Sequence, residues 1–342
     1  MKACAIRVLL TVGVAIITTA PSSAPVMLEE LPMIRNGTDW TDTEGRPISA
    51  HDGGMLRVGD TFYWYGTSYA GNPQGNFGIR AGEVWNGVQV YSSKDLVGWK
   101  FEGVGLPRPK RGWLTTGTCG RPHVLYNAKT RKYVLWHFWH LNYPGSPLNV
   151  AVSDHPAGPF QSLGPRELGS HDGFGYDFGL FEDDDGAAYI AYCADEYHIR
   201  VDRLSDDYTL SLKDGVVALK PLHEAPAMIK YRGQYIIAAS GVNGWAPTET
   251  AYAVASRPLG PYGEPKQMSE QRTWDSQLTQ FVLFPETDTL MAMCDQWWVP
   301  DKKDLNKSRY LWIPVDFDPA RGIARMEYRA VWTPLRSSGK PK

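Results

Sequence analysis

Five times along this 342-residue chain a short apolar strand is followed by a turn and then a stretch rich in Tyr, Trp and Phe. The five segments are 54–65, 122–136, 177–192, 225–239 and 278–293. Each carries its own turn signal: "RVGD" at 57–60, "NAKT" at 127–130, "EDDDG" at 182–186, "YRGQ" at 231–234 and "PETD" at 285–288. Outer strand pairs follow as "VQVYSSKDLVGWK", "VAVSDHPAGPF", "IRVDRLSDDYTLSL", "AYAVASRPLGPY" and residues 310–317. No long helical periodicity interrupts them. One such unit cannot bury its apolar faces alone, whereas units packed side by side share a core. The expected fold is therefore all-β, a single five-bladed β-propeller over residues 28–342.

Composition removes several functions. The net charge of −2 offers no basic footprint for nucleic acid or an acidic membrane surface. Hydrophobic residues make up 43%, enough for a large core. Much of the 13 Trp and 18 Tyr must belong to that core, yet aromatic faces also suit the C–H faces of sugar rings. Lys2 and Arg7, the apolar run 8–17 and the small residues 20–24 read as a secretory signal over 1–24. That run is too short to span a bilayer and no Cys follows it, so no membrane anchor is expected and the destination is secreted or periplasmic. Beyond Cys4, the thiols Cys119, Cys193 and Cys294 lack metal-ligand spacing and are expected to be mostly buried.

A propeller brings the start of every blade to the central axis. Asp52, Asp177 and Glu224 stand at such starts, in "AHDGGML", "GYDFGLFEDDDG" and "HEAPAMIKYRGQY". Singly, each has an ordinary use. Asp52 before two glycines suits a turn, Asp177 can cap a loop, and Glu224 can end a solvated strand. Converging, they offer glycosidic chemistry. An inverting glycosidase needs one carboxylate to activate water and one carboxylic acid to protonate the leaving oxygen, about 6.5–9.5 Å apart. A neighbouring carboxylate keeps the acid protonated by repulsion.

These stretches resemble glycoside hydrolase family 43, whose members are five-bladed propellers and mostly inverting. "DGGMLRVGDTFYWYG" is similar to the family's base-bearing strand, which implies Asp52 as general base. "DFGLFEDDDG" is similar to the segment whose Asp tunes the acid's pKa, here Asp177, and "EAPAMIKYRGQY" to the segment carrying the acid, here Glu224. "WTDTEGRPISAH", "NGWAP", "RTWDSQ" and "SRYLW" look like the exo-β-1,3-galactanase branch. In that branch the Asp base is replaced and a Gln, here Gln277, is implicated near the nucleophilic water. This chain departs twice: it keeps Asp52 where the branch has Gly, and it has Gly120 where the branch carries a sugar-contacting Glu.

The resemblance implies an exo-acting, inverting hydrolase that removes galactose- or arabinose-type sugars from polysaccharides such as arabinogalactan. β-Galactofuranosides, α-L-arabinofuranosides and β-xylosides are alternative substrates. A sugar-binding propeller without turnover is the competing class, which the three retained acids disfavour. A retaining fructan-cleaving enzyme is disfavoured because its nucleophile sits in an Asn-Asp-Pro context, unlike "HDGG". Supporting candidates for substrate binding are Gln277, His51 beside the base, Arg121 and Arg309 as forks onto sugar oxygens or the acids, and Trp245 as a platform. Trp297 and Trp298 fall in a rim loop. Some members of the family place a cation near the propeller axis, often with a His in blade five; the comparable "WDSQ" has none, and no catalytic metal or other cofactor is expected.

Overall fold

The computed structural model describes residues 31–69, 86–108, 118–140, 148–169, 177–244, 246–297 and 307–335, together with Met1. The expected signal segment after Met1, Trp245, Trp298 and most of the four rim stretches at 69–87, 106–118, 140–147 and 296–308 lie outside the described residues.

Five four-stranded antiparallel sheets make the five expected blades, each from one contiguous piece of chain. Blade one is β2–β5 (His51–Val58, Thr61–Thr67, Val88–Ser93, Lys100–Leu106), after a short β1 (Ile34–Arg35). Blade two is β6–β9 (Thr118–Asn127, Lys132–His140, Leu148–Ser153, Gln161–Arg166). Blade three is β10–β13 (Phe178–Glu182, Ala188–Cys193, Ile199–Arg203, Val216–Leu219). Blade four is β14–β17 (His223–Tyr231, Gln234–Gly241, Thr250–Ala255, Lys266–Gln267). Blade five is β18–β21 (Gln277–Phe284, Thr289–Gln296, Arg309–Asp318, Ile323–Met326), and β22 (Val331–Trp332) follows.

Burial explains the strand sequences. Second strands lie between neighbouring blades and are apolar on both faces: in β11 all of "AYIAYC" is buried. The outermost strands are largely wet, as in "QSLGPR" of β9. Packed faces of adjacent blades form separate aromatic-rich clusters. The one joining blades five and one holds Trp64, Trp99, Tyr310, Trp312 and Trp332. Trp64 stands edge-on to Tyr310 at 4.5 Å and to Trp312 at 5.1 Å, the preferred aromatic geometry.

No blade shares strands from both chain ends, so closure falls to other contacts. β1 pairs with β22, Ile34 opposite Trp332. Asn36 exchanges hydrogen bonds with both main-chain groups of Trp312. At the axis the Gln280 amide of blade five donates to the Met55 carbonyl of blade one and accepts from its N–H, as a ladder pair would.

The outer strand of blade three differs from the expected position. "YTLSL" at 208–212 supplies only a bridge between Leu204 and Ser211, and pairing with β12 falls to Val216–Leu219. Asp202 accepts from Ser211 Oγ and the N–H of Gly169, pinning the intervening loop. Cys119, Cys193 and Cys294 are buried, as expected. No helix among the described residues is long and apolar enough to cross a membrane.

Candidate active site

Four of the inner strands carry a β-bulge near their axial ends. Register shifts fall between His51 and Gly54, Gly120 and His123, Glu224 and Ala227, and Leu278 and Gln280. Asp52, Arg121 and Ala225 sit in these bulges with φ of 57°, 47° and 54°. Bulges bend a strand and re-aim its side chains, and they gather beside active sites. Asp52 tolerates the left-handed region better than most residues. Gly53 beside it is required, since a Cβ there would lie 1.8 Å from the Tyr65 carbonyl oxygen.

All three expected acids reach this end of the propeller. Asp52 is 4% exposed. Its carboxylate accepts from the Arg121 main-chain N–H at 3.2 Å and pairs with the Arg121 guanidinium at 3.3 Å, while its own N–H donates to Asp295. Burial drives the Asp52 carboxyl well above the ordinary range, Arg121 opposes this, and Asp177 and Asp295 add to it. Asp177, just before β10, accepts from the Ala225 N–H at 3.0 Å, which sets it beside Glu224. Glu224 is pushed up to about 8, first by burial and then by the charge of Asp177, with Gln277 and Arg121 opposing. At neutral pH Glu224 therefore holds its proton.

Gln277 joins this group. Its amide donates to Glu224 Oε1 at 3.1 Å, and its carbonyl accepts from the Trp297 indole at 3.1 Å. A turn at Gln271–Asp275 delivers it, with all five residues at positive φ. The Thr273 hydroxyl anchors that turn, bonding Thr250 and Ser269 hydroxyls at 2.9 and 2.7 Å and the Thr248 carbonyl at 2.8 Å.

The other candidates divide. Arg121, expected to fork onto sugar oxygens or onto the acids, does the latter: it is fully buried, its guanidinium is spent on Asp52 and main-chain carbonyls, and it has no face for a sugar. His51 is likewise fully buried, stacked between Tyr69 and Tyr310, and burial holds its ring neutral at about 3. No part of the ring is exposed to solvent. Arg309 pairs with Asp39 at 2.7 Å. Trp245 lies outside the described residues.

Sequence reasoning missed Asp295. It is the penultimate residue of β19, is 4% exposed, and is pushed up to about 7 by burial, against the opposing Asp52 N–H and Arg121. Its signal was an acid within the apolar run "MAMCDQWW". Gly120 also becomes intelligible. A Cβ there would lie 2.2 Å from the Phe138 ring and 2.8 Å from Asp52 Oδ2, so the Asp52 carboxyl occupies the space a side chain at 120 would need. Among the described residues no cluster of His, Cys, Asp and Glu has the makings of a metal site.

Known proteins place this arrangement. The profile of glycosyl hydrolases family 43 matches residues 46–298. A GH43 β-1,3-galactosidase solved with galactodeoxynojirimycin superposes with a TM-score of 0.76 at 29% identity, covering 88% of this chain and 100% of that one. The exo-β-1,3-galactanase of Phanerochaete chrysosporium, solved with galactose, gives 0.77 at 30% identity over 90% of this chain and 69% of its own. That of Clostridium thermocellum gives 0.77 at 30% identity over 87% and 66%. A Vibrio xylan 1,3-β-xylosidase is 26% identical over 153 residues, 41% of this chain, which spans about a quarter (24%) of that relative's length. With the profile covering most of the chain and the propeller shared throughout, this protein belongs to glycosyl hydrolase family 43 and is a glycoside hydrolase.

Proposed function

We propose that the chain is a secreted, exo-acting, inverting glycosidase that releases galactose-type residues from β-1,3-linked galactan or arabinogalactan. The observation that carries this reading is Glu224: a half-buried carboxyl raised to about 8 beside Asp177, with a side-chain bond from Gln277. Such a group is a general acid at neutral pH. In the reaction Glu224 gives its proton to the departing glycosidic oxygen. Asp52, with Arg121 against it, takes a proton from the water that attacks the anomeric carbon from the opposite face. Asp177 makes the Glu224 carboxylate unfavourable and so returns it to the protonated state for the next turnover. The galactose-type specificity is supported by the relatives, several of which are β-1,3-galactosidases or exo-β-1,3-galactanases at 28–30% identity.

A second reading has its own support. Asp52 is nearly closed to solvent, whereas Gln277 contacts the acid directly and is oriented by Trp297. In that version the Gln277 amide positions the water and Asp52 only balances Arg121. Proton NMR of fresh products from β-1,3-galactan, arabinogalactan, galactofuranosyl, arabinofuranosyl and xylosyl substrates tests the proposal. Release of α-galactose first, from β-linked substrate, is expected. Release of the β-anomer refutes inversion, release of another sugar alone refutes the specificity, and binding without release refutes turnover.

A further inference from the structure

Arg121 does more than pair with Asp52. It belongs to blade two, and its side chain reaches the inner strands of the other four. Nε donates to the Phe178 carbonyl of blade three at 2.8 Å. Nη2 faces the Pro226 carbonyl of blade four at 3.5 Å and the Leu278 and Thr279 carbonyls of blade five at 3.3 and 3.2 Å. Nη1 meets the Asp52 carboxylate of blade one at 3.3 Å. We propose that this guanidinium is the axial cation of the propeller, closing the ring of inner strands with a side chain where a bound metal ion would otherwise do so, and positioning Asp52 as a carboxylate.

Three observations support it. First, two of the carbonyls are available because of the bulges. Pro226 and Thr279 lie inside the register shifts of β14 and β18, where ladder pairing lapses and the carbonyls turn inward. Buried carbonyls require donors, and the fork of Arg121 supplies several at once. Second, oxygens from several blades around one positive charge form the ligand set of a hard cation, and the guanidinium fills that place. Third, the site avoids a second cation. His123 bridges the Arg121 and Thr279 carbonyls at 3.0 and 3.1 Å, yet burial first and then Arg121 hold it neutral at about 4. The acids nearby therefore share one counter-charge: Arg121 opposes the upward shift of Asp52, Glu224 and Asp295 alike.

The part concerning Asp52 rests on its proposed role as base, and the experiment separates the two. The groups facing Asp52 are Arg121 and Cys119 from blade two, Asp177 from blade three, Asp295 from blade five, and His51 and Tyr69 on its own side. The wild-type protein is first stripped with EDTA. Unchanged activity and melting temperature are expected, and a loss restored by calcium overturns the axial-cation assignment without any variant. Arg121→Lys and Arg121→Ala are then compared with wild type. In Arg121→Ala the acidic limb of kcat/KM is expected to move up by about 1–3 pH units with KM little changed, and added guanidinium ion is expected to return it. Arg121→Lys keeps the charge without the fork and is expected to lose kcat by roughly 10²-fold and to melt lower, which carries the test if the alanine variant does not fold. An unmoved pH limb with unreduced kcat in either variant refutes the positioning role. If Asp52→Asn retains turnover, the base assignment fails, while the EDTA and melting results still decide the axial role.

Discussion

Replacing Glu224 with Gln isolates the ionisation on which the mechanism depends. Glu224 loses its proton near 8 in the folded protein, against 4.5 for a free glutamate. The sign follows from which state binds the proton more tightly. Below about 4.5 both folded and unfolded chains hold it, and pH has no leverage through this group. Between about 4.5 and 8 the unfolded chain ionises and the folded one does not, so the wild type loses stability as pH rises. A gap of about 3.5 pH units corresponds to at most roughly 5 kcal/mol, which interior relaxation and water reduce to a few. The substituted amide would keep the acceptor that Gln277 uses at 3.1 Å and has no proton to lose. The Glu224→Gln variant is therefore expected to match wild type near pH 4.5 and to melt several degrees higher at pH 9. Thermal midpoints of both proteins across this range give the difference curve, from which the other titrating groups cancel. The same variant should lose roughly 10²–10⁴-fold in kcat on a natural glycoside and far less on an aryl glycoside whose leaving group needs no proton. Parallel melting curves, or full activity on the natural substrate, would refute the assignment of Glu224 as a protonated acid.

Further tests follow from particular contacts. Asp52→Asn should abolish hydrolysis of every substrate, activated ones included; if only Gln277→Ala does so in kinetic assays, the amide positions the water. Trp297→Phe removes the indole donor to Gln277 Oε1 and should lower kcat by about tenfold with an unchanged melting temperature, measured on the purified variant. Gly120→Ala forces a Cβ against Phe138 and Asp52 Oδ2 and should cost about 1–3 kcal/mol in denaturant unfolding along with most of the activity. In the wild type, kcat/KM should fall on the alkaline side as Glu224 ionises near 8, and Glu224→Gln should lose that limb.

The blades were legible because their signals are local. Each inner hairpin is an apolar strand, a turn and an aromatic strand, and every one of the five forms where the repeat places it. The three acids were legible for the same reason, since a strand start can be read from its own neighbours. What escaped the sequence depends on partners far along the chain. Asp295 reads as one polar residue in a buried strand until the fold sets it under the Asp52 N–H, 243 residues away. Arg121 reads as a fork onto sugar oxygens or the acids, but its burial does not show in the sequence, because the carbonyls around it come from three other blades. The positive φ of Asp52, Arg121 and Ala225 carries no glycine to announce it. The turn at Gln271–Asp275 is stranger still, five non-glycine residues in a conformation that disfavours each by roughly 1–2 kcal/mol, held by the hydroxyl bonds of Thr273.

The division of labour between the acids then reduces to the placement of one positive charge. Asp52, Asp177, Glu224 and Asp295 gather around Arg121, and His51 and His123 are held neutral by burial at about 3 and 4. One buried cation cannot compensate four carboxylates in a medium of low polarity, so protons must remain on some of them. Asp52 takes the guanidinium and an N–H donor at the same carboxylate. Glu224 receives neutral donors, the Gln277 amide among them, and faces the charge of Asp177. The cation and the N–H thereby draw the carboxyl next to them toward the anion, against the burial that raises it, and the one beyond them is left as the acid. Moving the cation, by changing Arg121, should disturb both roles together, whereas changing Asp177, whose charge raises Glu224 and Asp52 alike, should ease both while leaving the Asp52–Arg121 pair in place.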